Sequence, residues 1–181
     1  MKHQEAAALF HQMHPDFFER HSFPEDETYS EMMLRLADFD PERYAKPLPH
    51  EISFGFFQGD PGPLLQAVGQ VDAGWVQYFH DTRNVYCGYV NGRIASFCFV
   101  SHMGDFMVEG RVCKIGGPGC VGTVPEFRCR GIGLTMVENV TEILKNRGYD
   151  YSYIHYTGVA PWYEKLGYET ILRWNAKGIL D

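Results

Sequence analysis

The segment Thr123-Val124-Pro125-Glu126-Phe127-Arg128-Cys129-Arg130-Gly131-Ile132-Gly133-Leu134 sets the architecture of the chain around it. It joins a β-branched run to a long helix in which Ile132, Met136, Val140, Ile143 and Leu144 recur at helical spacing. The join is basic and carries glycine. Glycines let a backbone approach a ligand without a Cβ in the way, and the free amides of a helix N-terminus are donors backed by the positive end of the dipole. The stretch therefore predicts an anion site, with phosphate the favoured guest.

Working outward, the helix from about Gly131 to Arg147 ends on Lys145, Arg147 and Gly148, cations and a glycine where a C-terminus favours them. Asp150 to Tyr156 reads as a strand, Ala160 to Leu166 as a short helix closed by Gly167, and Tyr168 to Trp174 as a last strand. Upstream, Val112 to Ile115 and Cys120 to Val124 form a strand interrupted or bulged by Gly116-Gly117-Pro118-Gly119. Val85 to Val90 and Arg93 to Val100 flank Asn91-Gly92, whose access to positive φ signals a two-residue hairpin. Leu64 to Phe79 reads as a half-buried helix with a break near Gly74, and Ile52 to Phe57 as a strand. Residues 1–48 read as a helical N-terminal extension: Gln4 to Met13 is Ala-rich, and Tyr29 to Phe39 sets Met32, Met33, Leu36 and Phe39 on one helical face. The prolines from Pro41 to Pro49 mark an irregular connector to a domain spanning 49–181.

Three phosphate-binding patterns compete for the glycines. Gly117 to Gly122 has P-loop spacing, but Thr123 stands where the lysine belongs. A dinucleotide fingerprint needs a third glycine where Met136 stands. The pattern that remains is Arg/Gln-x-x-Gly-x-Gly/Ala after a strand, here Arg128-Cys129-Arg130-Gly131-Ile132-Gly133, preceded by Thr123-Val124-Pro125-Glu126-Phe127. With it, the sequence resembles the acetyl-CoA site of the GNAT superfamily of N-acetyltransferases. Downstream, Trp162-Tyr163-Glu164-Lys165-Leu166-Gly167-Tyr168 is similar to the aromatic-Tyr-x-x-x-Gly-aromatic signature of that family. The resemblance covers about residues 50 to 175, and two ordered signatures are far more specific than either alone.

The resemblance implies an α/β domain of α+β type: the GNAT acyl-CoA N-acyltransferase fold, a mixed, mostly antiparallel sheet with flanking helices, splayed between the strands at Cys120 and Tyr153. It implies that amides from Cys129 to Leu134, through Arg130, Gly131, Ile132 and Gly133, surround the cofactor pyrophosphate, with the Arg128 and Arg130 side chains adding positive charge. Val121, Gly122 and Thr123 would face the pantetheine arm of acetyl-CoA. Many family members carry glycine where Cys129 stands. The expected reaction moves an acetyl group from acetyl-CoA to a primary amine, small-molecule or protein, by direct attack in a ternary complex. Tyr163 matches the position that protonates the departing thiolate. Relatives often place a glutamate base on the strand before the turn, but counting back from Arg128 reaches Gly117. His155 and Tyr156 are then the candidates for the base, with Glu109 or Asp105 able to reach in from a loop. The alternative is a catalytically weak CoA-binding sensor or regulatory module.

Composition narrows the classes. The 181 residues are 45% apolar and 15% aromatic with net charge −7, enough for a sizeable core and unfavourable for nucleic acid or an anionic membrane. No stretch is long and apolar enough for a membrane helix, and the opening residues lack a secretion-signal pattern, so a cytoplasmic location is expected. The five cysteines form no CxxC pair and read as reduced thiols. His11-x-x-His14 lacks nearby partners, so no metal is expected. Residues 1–48 also offer a surface for a homodimer.

Overall fold

The computed structural model describes residues 1–41 and 47–180. In chain order the elements are α1 (His3–Met13), α2 (Phe17–Arg20), β1 (Thr28–Arg35), β2 (Ile52–Phe56), α3 (Gly62–Val71), β3 (Val85–Val90), β4 (Arg93–Val108), β5 (Arg111–Thr123), α4 (Ile132–Asn146), β6 (Tyr151–Thr157), α5 (Ala160–Tyr163), β7 (Glu169–Asn175) and β8 (Gly178–Leu180). Short 3-10 turns follow β1, α3, β5 and α5. The expected class holds: a mixed α/β fold with eight mostly antiparallel strands and flanking helices. Contacts gather the chain into two units, one of Met1–Phe39, His102–Gly117 and Leu144 onward, the other of Asp40–Ser101 and Pro118–Ile143.

In the first unit the hydrogen-bonded order is β5, β6, β1, β7, β8. Its β5–β6 pairing is parallel, Ile115 with Tyr151 and Gly116 with Ser152. β1 lies antiparallel between β6 and β7, with Met33 opposite Tyr153 on one side and Tyr29 opposite Trp174 on the other. The expected helix over Tyr29–Phe39 is therefore corrected to a strand and a 3-10 turn (Leu36–Asp38), and this part of residues 1–48 is not a helical extension. Tyr29 to Leu34 are all buried, as befits a strand covered on both faces, so no alternation of polar and apolar residues marks it. Helix α1 does form, and its Ala6, Leu9 and Phe10 are buried in the apolar clusters that include Tyr29, Met33, Tyr153 and Trp174. Gly148 and Tyr149 close α4 by donating to the carbonyls of Lys145 (3.0 Å) and Leu144 (3.1 Å), a Schellman cap.

In the second unit the order is β2, β3, β4, β5. Asn91 and Gly92 take φ of 48° and 76°, closing the β3–β4 hairpin as expected. α3 lays Leu64, Ala67 and Val68 into a core with Cys87, Phe97, Phe79, Val124 and Ile132. Asp72 ends that helix and accepts from the Gly74 amide at 2.8 Å, producing the break expected there. The glycine run from Gly116 to Gly119 does not interrupt the strand: β5 is continuous, and its irregularity is the left-handed Cys120 (φ 46°). The pair Glu109–Gly110 (φ 49° and 81°) is a second tight turn, joining β4 to β5 within the first unit.

Because β1 is hydrogen-bonded on both edges, deleting residues 1–39 should abolish cooperative thermal unfolding as followed by circular dichroism. A truncated chain with a sharp transition near that of the full chain would contradict this placement.

Candidate active site

The turn between β5 and α4 lies wholly in the second unit. Val124 and Phe127 are buried, whereas Arg128, Cys129, Arg130 and Gly131 are exposed, so the turn is anchored at its start and open at its crest. Arg128 Nε–H donates to the Thr123 carbonyl at 3.1 Å, folding the turn back on the strand. Arg93 pairs with Glu126 at 2.5 Å, and the guanidinium groups of Arg93 and Arg130 lie 5.3 and 5.6 Å from the Phe127 ring centroid. Cys129 and Gly131 both take left-handed φ, 61° and 80°. Glycine is the residue that conformation favours, which is a physical reason for the glycine that the family resemblance implied at the Cys129 position.

The first bond of the α4 ladder runs from Thr135 N–H to the Gly131 carbonyl at 3.0 Å. The amides of Ile132, Gly133 and Leu134 therefore precede the ladder, at the positive end of a 15-residue helix. On β5, Val121 and Thr123 are half-buried, and Gly122 is packed so that a Cβ would overlap the Phe97 ring. A separate open cavity of about 430 Å³, lined among others by Tyr89, Arg93, Val124, Glu126, Gln66 and Gln70, includes none of these predicted cofactor residues.

Tyr163, His155 and Tyr156 belong to the first unit. Tyr163 ends α5, is 5% exposed, and sits edge-on to Trp162 (4.8 Å) with Tyr168 at 6.0 Å. Gly167, φ 89°, stops the turn that follows. Tyr168 reaches Ser152 through a 2.7 Å hydroxyl hydrogen bond, tying β6 to the start of β7.

His155 and Tyr156 lie where β6 bulges. Ser30 opposes Thr157 and Met32 opposes Ile154, so two residues of β6 face the single Glu31 of β1. Tyr156 takes a φ of 56° to make the bulge. The Glu31 side chain is fully buried; it accepts from Trp174 Nε1–H at 2.7 Å and Tyr156 N–H at 3.2 Å, and its two oxygens lie 3.1 and 3.0 Å from His155 Nδ1. The His14 ring stacks on His155 with centroids 3.8 Å apart and planes 17° apart. Donor atoms of His14, Glu31 and His155 all lie within 4.8 Å of one another. Burial, then the neighbouring His155, lowers the His14 pKa to about 4, so His14 is neutral. Burial and the Glu31 charge push the Tyr153 phenol well above its ordinary range.

Sequence reasoning missed Glu31, because it assigned the residue to a helix; it also left His14 without partners that the strand supplies. The expectation of a loop position is corrected for Asp105, whereas Glu109 does stand on one. Asp105 is within β4, and Glu109 is on the β4–β5 turn, 3.7 Å from the N-terminal amine of Met1. Gly117, where the family resemblance implied a base, has a structural cause: a Cβ there would overlap the Tyr153 carbonyl oxygen.

Residues 53–171 match the family model of the acetyltransferase (GNAT) domain. The chain belongs to the GNAT acetyltransferase family. Residues 53–171 are thus an acetyltransferase (GNAT) domain, the family that the paired signatures around Arg128 and Tyr163 resembled. Among solved structures, it is similar to the GCN5-related glucosamine N-acetyltransferase region of a fungal multi-domain GH3 β-N-acetylglucosaminidase, at 22% identity and TM-score 0.69 over 85% of this chain and 21% of that one. It is also similar to a GCN5-related N-acetyltransferase from Sphaerobacter thermophilus, at 21% identity and TM-score 0.58, covering 86% of this chain and 52% of that one. One from Kribbella flavida matches at 13% identity and TM-score 0.54 over 86% and 60%. The chain thus spans three fifths or less of each of these relatives, and identities at this level establish the fold. A search of curated proteins finds no match. Among the described residues, no helix is long and apolar enough to cross a membrane.

The clash at Gly117 yields a test. Gly117→Glu should cost about 3 kcal/mol or more in chemical denaturation, since relieving the overlap must move backbone. A stable Gly117→Glu protein with raised acetyl-transfer activity would show that the site tolerates a base there.

Proposed function

We propose that the chain transfers an acetyl group from acetyl-CoA to a primary amine of a small molecule or protein, by direct attack in a ternary complex. The observation that supports this most is the turn from Arg128 to Leu134: three helix-start amides, two left-handed residues and two exposed arginines on one short segment. That set fits a pyrophosphate, with Ile132, Gly133 and Leu134 as donors and Arg128 and Arg130 as counter-charges. Cys129 and Gly131 shape the backbone, and Val121, Gly122 and Thr123 border the pantetheine path. Bound acetyl-CoA supplies the thioester carbonyl that the amine attacks.

The chain's own residues then have to manage protons. Tyr163 is the proposed donor to the departing sulfur, and the end of β6, His155 or Tyr156, the proposed acceptor of the amine proton. The five cysteines are all unlinked thiols, in keeping with the cytoplasm as its proposed compartment. The glycine at position 117 also supports a second reading, a CoA-binding sensor with little turnover. The net charge of −7 suits cationic acceptors. Because the fungal neighbour is a glucosamine N-acetyltransferase region, glucosamine heads the panel of amines to be offered, followed by a polyamine, an amino acid and a lysine-bearing peptide.

Release of free thiol from acetyl-CoA with any member of that panel supports the enzyme; cofactor binding without release supports the sensor. In the enzyme, Tyr163→Phe should keep acetyl-CoA affinity by calorimetry and lower kcat by roughly 100-fold. An unchanged kcat would remove Tyr163 from the chemistry.

A further inference from the structure

Within the acetyl-transfer reading above, on which this inference rests, we propose that Glu31 is a positioning residue. It holds His155 in the Nδ1–H tautomer, so that His155 Nε2 takes the proton of the acceptor ammonium.

Glu31 is a carboxylate with no exposure in the middle of a sheet, and such a group persists only where donors or a cation compensate its lost hydration. Two of its donors are structural. Trp174 Nε1–H and Tyr156 N–H both go to Oε1, the latter being an amide that the β6 bulge turns away from regular strand pairing. These would be served equally well by a glutamine. The third partner is different in kind: His155 Nδ1 lies 3.0 to 3.1 Å from both oxygens. An ionised carboxylate only accepts, so Nδ1 must carry the hydrogen, and in the neutral imidazole the lone pair is then on Nε2. His155 keeps 27% side-chain exposure while Glu31 has none, so the histidine is the member of the pair with access to an incoming group.

The bulge is what makes the pairing. Without the extra β6 residue, His155 and Tyr156 would not both face Glu31, and the left-handed backbone at Tyr156 is a strained conformation retained in return for it. The other titratable groups facing His155 are His14 of α1 and its neighbours on β6. His14 is neutral and stacked, Tyr156 is adjacent with ring centroids 6.0 Å away, and the Tyr153 phenol is held neutral by burial. Glu31 is thus the acidic side chain in contact with the ring, placed to stabilise the imidazolium once formed.

The step is a proton transfer without redox change. One ammonium N–H bond breaks and its electron pair stays on nitrogen as the nucleophilic lone pair. The Nε2 lone pair forms the new N–H bond, and the positive charge passes to the Glu31-paired imidazolium and then to solvent.

Two measurements test it. In wild-type protein labelled with ¹⁵N-histidine, the His155 signal, assigned by its loss in His155→Gln, should report the Nδ1–H tautomer at alkaline pH. In Glu31→Gln the amide keeps Trp174 and Tyr156 satisfied but offers an N–H to Nδ1, so His155 should switch to Nε2–H. With glucosamine, or whichever panel amine the wild type acetylates, Glu31→Gln should lower kcat roughly 100-fold with an unaltered KM for acetyl-CoA, and the acid limb of its kcat/KM profile should vanish. A wild-type Nε2–H tautomer, or a Glu31→Gln enzyme with the wild-type rate and pH profile, would overturn the proposal. If Glu31→Gln does not fold, His155→Gln takes its place: kcat within about threefold of wild type overturns the proposal, and a 100-fold fall supports it. A wild-type chain that neither binds nor turns over acetyl-CoA would instead overturn the acetyl-transfer reading itself.

Discussion

The contact on which the first unit turns is a backbone approach: β5 passes Tyr153 so closely at Gly117 that its carbonyl oxygen occupies the space of a Cβ. Two parallel pairs, Ile115 with Tyr151 and Gly116 with Ser152, bring the strands to that point. Only a residue without a side chain passes it. The same constraint that lets β5 and β6 share a sheet therefore leaves no room at position 117 for the carboxylate that the family resemblance implied on this strand. The proposed proton acceptor lies one strand over, at the end of β6.

There the fold carries a second constraint, a carboxylate inside a sheet. Glu31 faces extra residues on both neighbours, since β7 as well as β6 has one more residue than β1 across this stretch. Two irregular strands would leave amides unsatisfied, and Glu31 accepts one of them, from Tyr156, together with the indole N–H of Trp174. The aromatic cluster of Phe10, Phe17, Tyr29 and Trp174 encloses this centre, so α1, β1 and β7 are held around it. The same carboxylate lies 3.0 to 3.1 Å from His155 Nδ1, so the sheet's structural need and the proposed proton transfer meet at one residue.

Much of the molecule was legible before any coordinates. Asn91-Gly92 marked the hairpin because two successive positive φ values are costly for most other residues, and Gly131 marked the helix start for the same reason. The helix from Ile132 and the strand from Tyr151 follow from periodicity and caps. β1 was not legible: Tyr-Ser-Glu-Met-Met-Leu is buried on both faces, and a short apolar run of that kind fits helix and strand templates equally. Glu31 was hidden with it, because its partners Trp174 and His155 stand 143 and 124 residues away. The turn from Arg128 to Leu134 is a local feature that spacing alone marks, whereas the cluster around Glu31 is assembled from β1, β6, β7 and α1.

The proposed role of the turn from Arg128 to Leu134 is to bind the pyrophosphate of CoA. It is tested most directly by comparing, in one calorimetric titration series on the full chain, the affinities of CoA and pantetheine, which shares the thiol arm but has no phosphate. Charge-assisted hydrogen bonds from three amides and two arginines should make CoA at least about 100-fold tighter than pantetheine. Equal affinities would contradict the account.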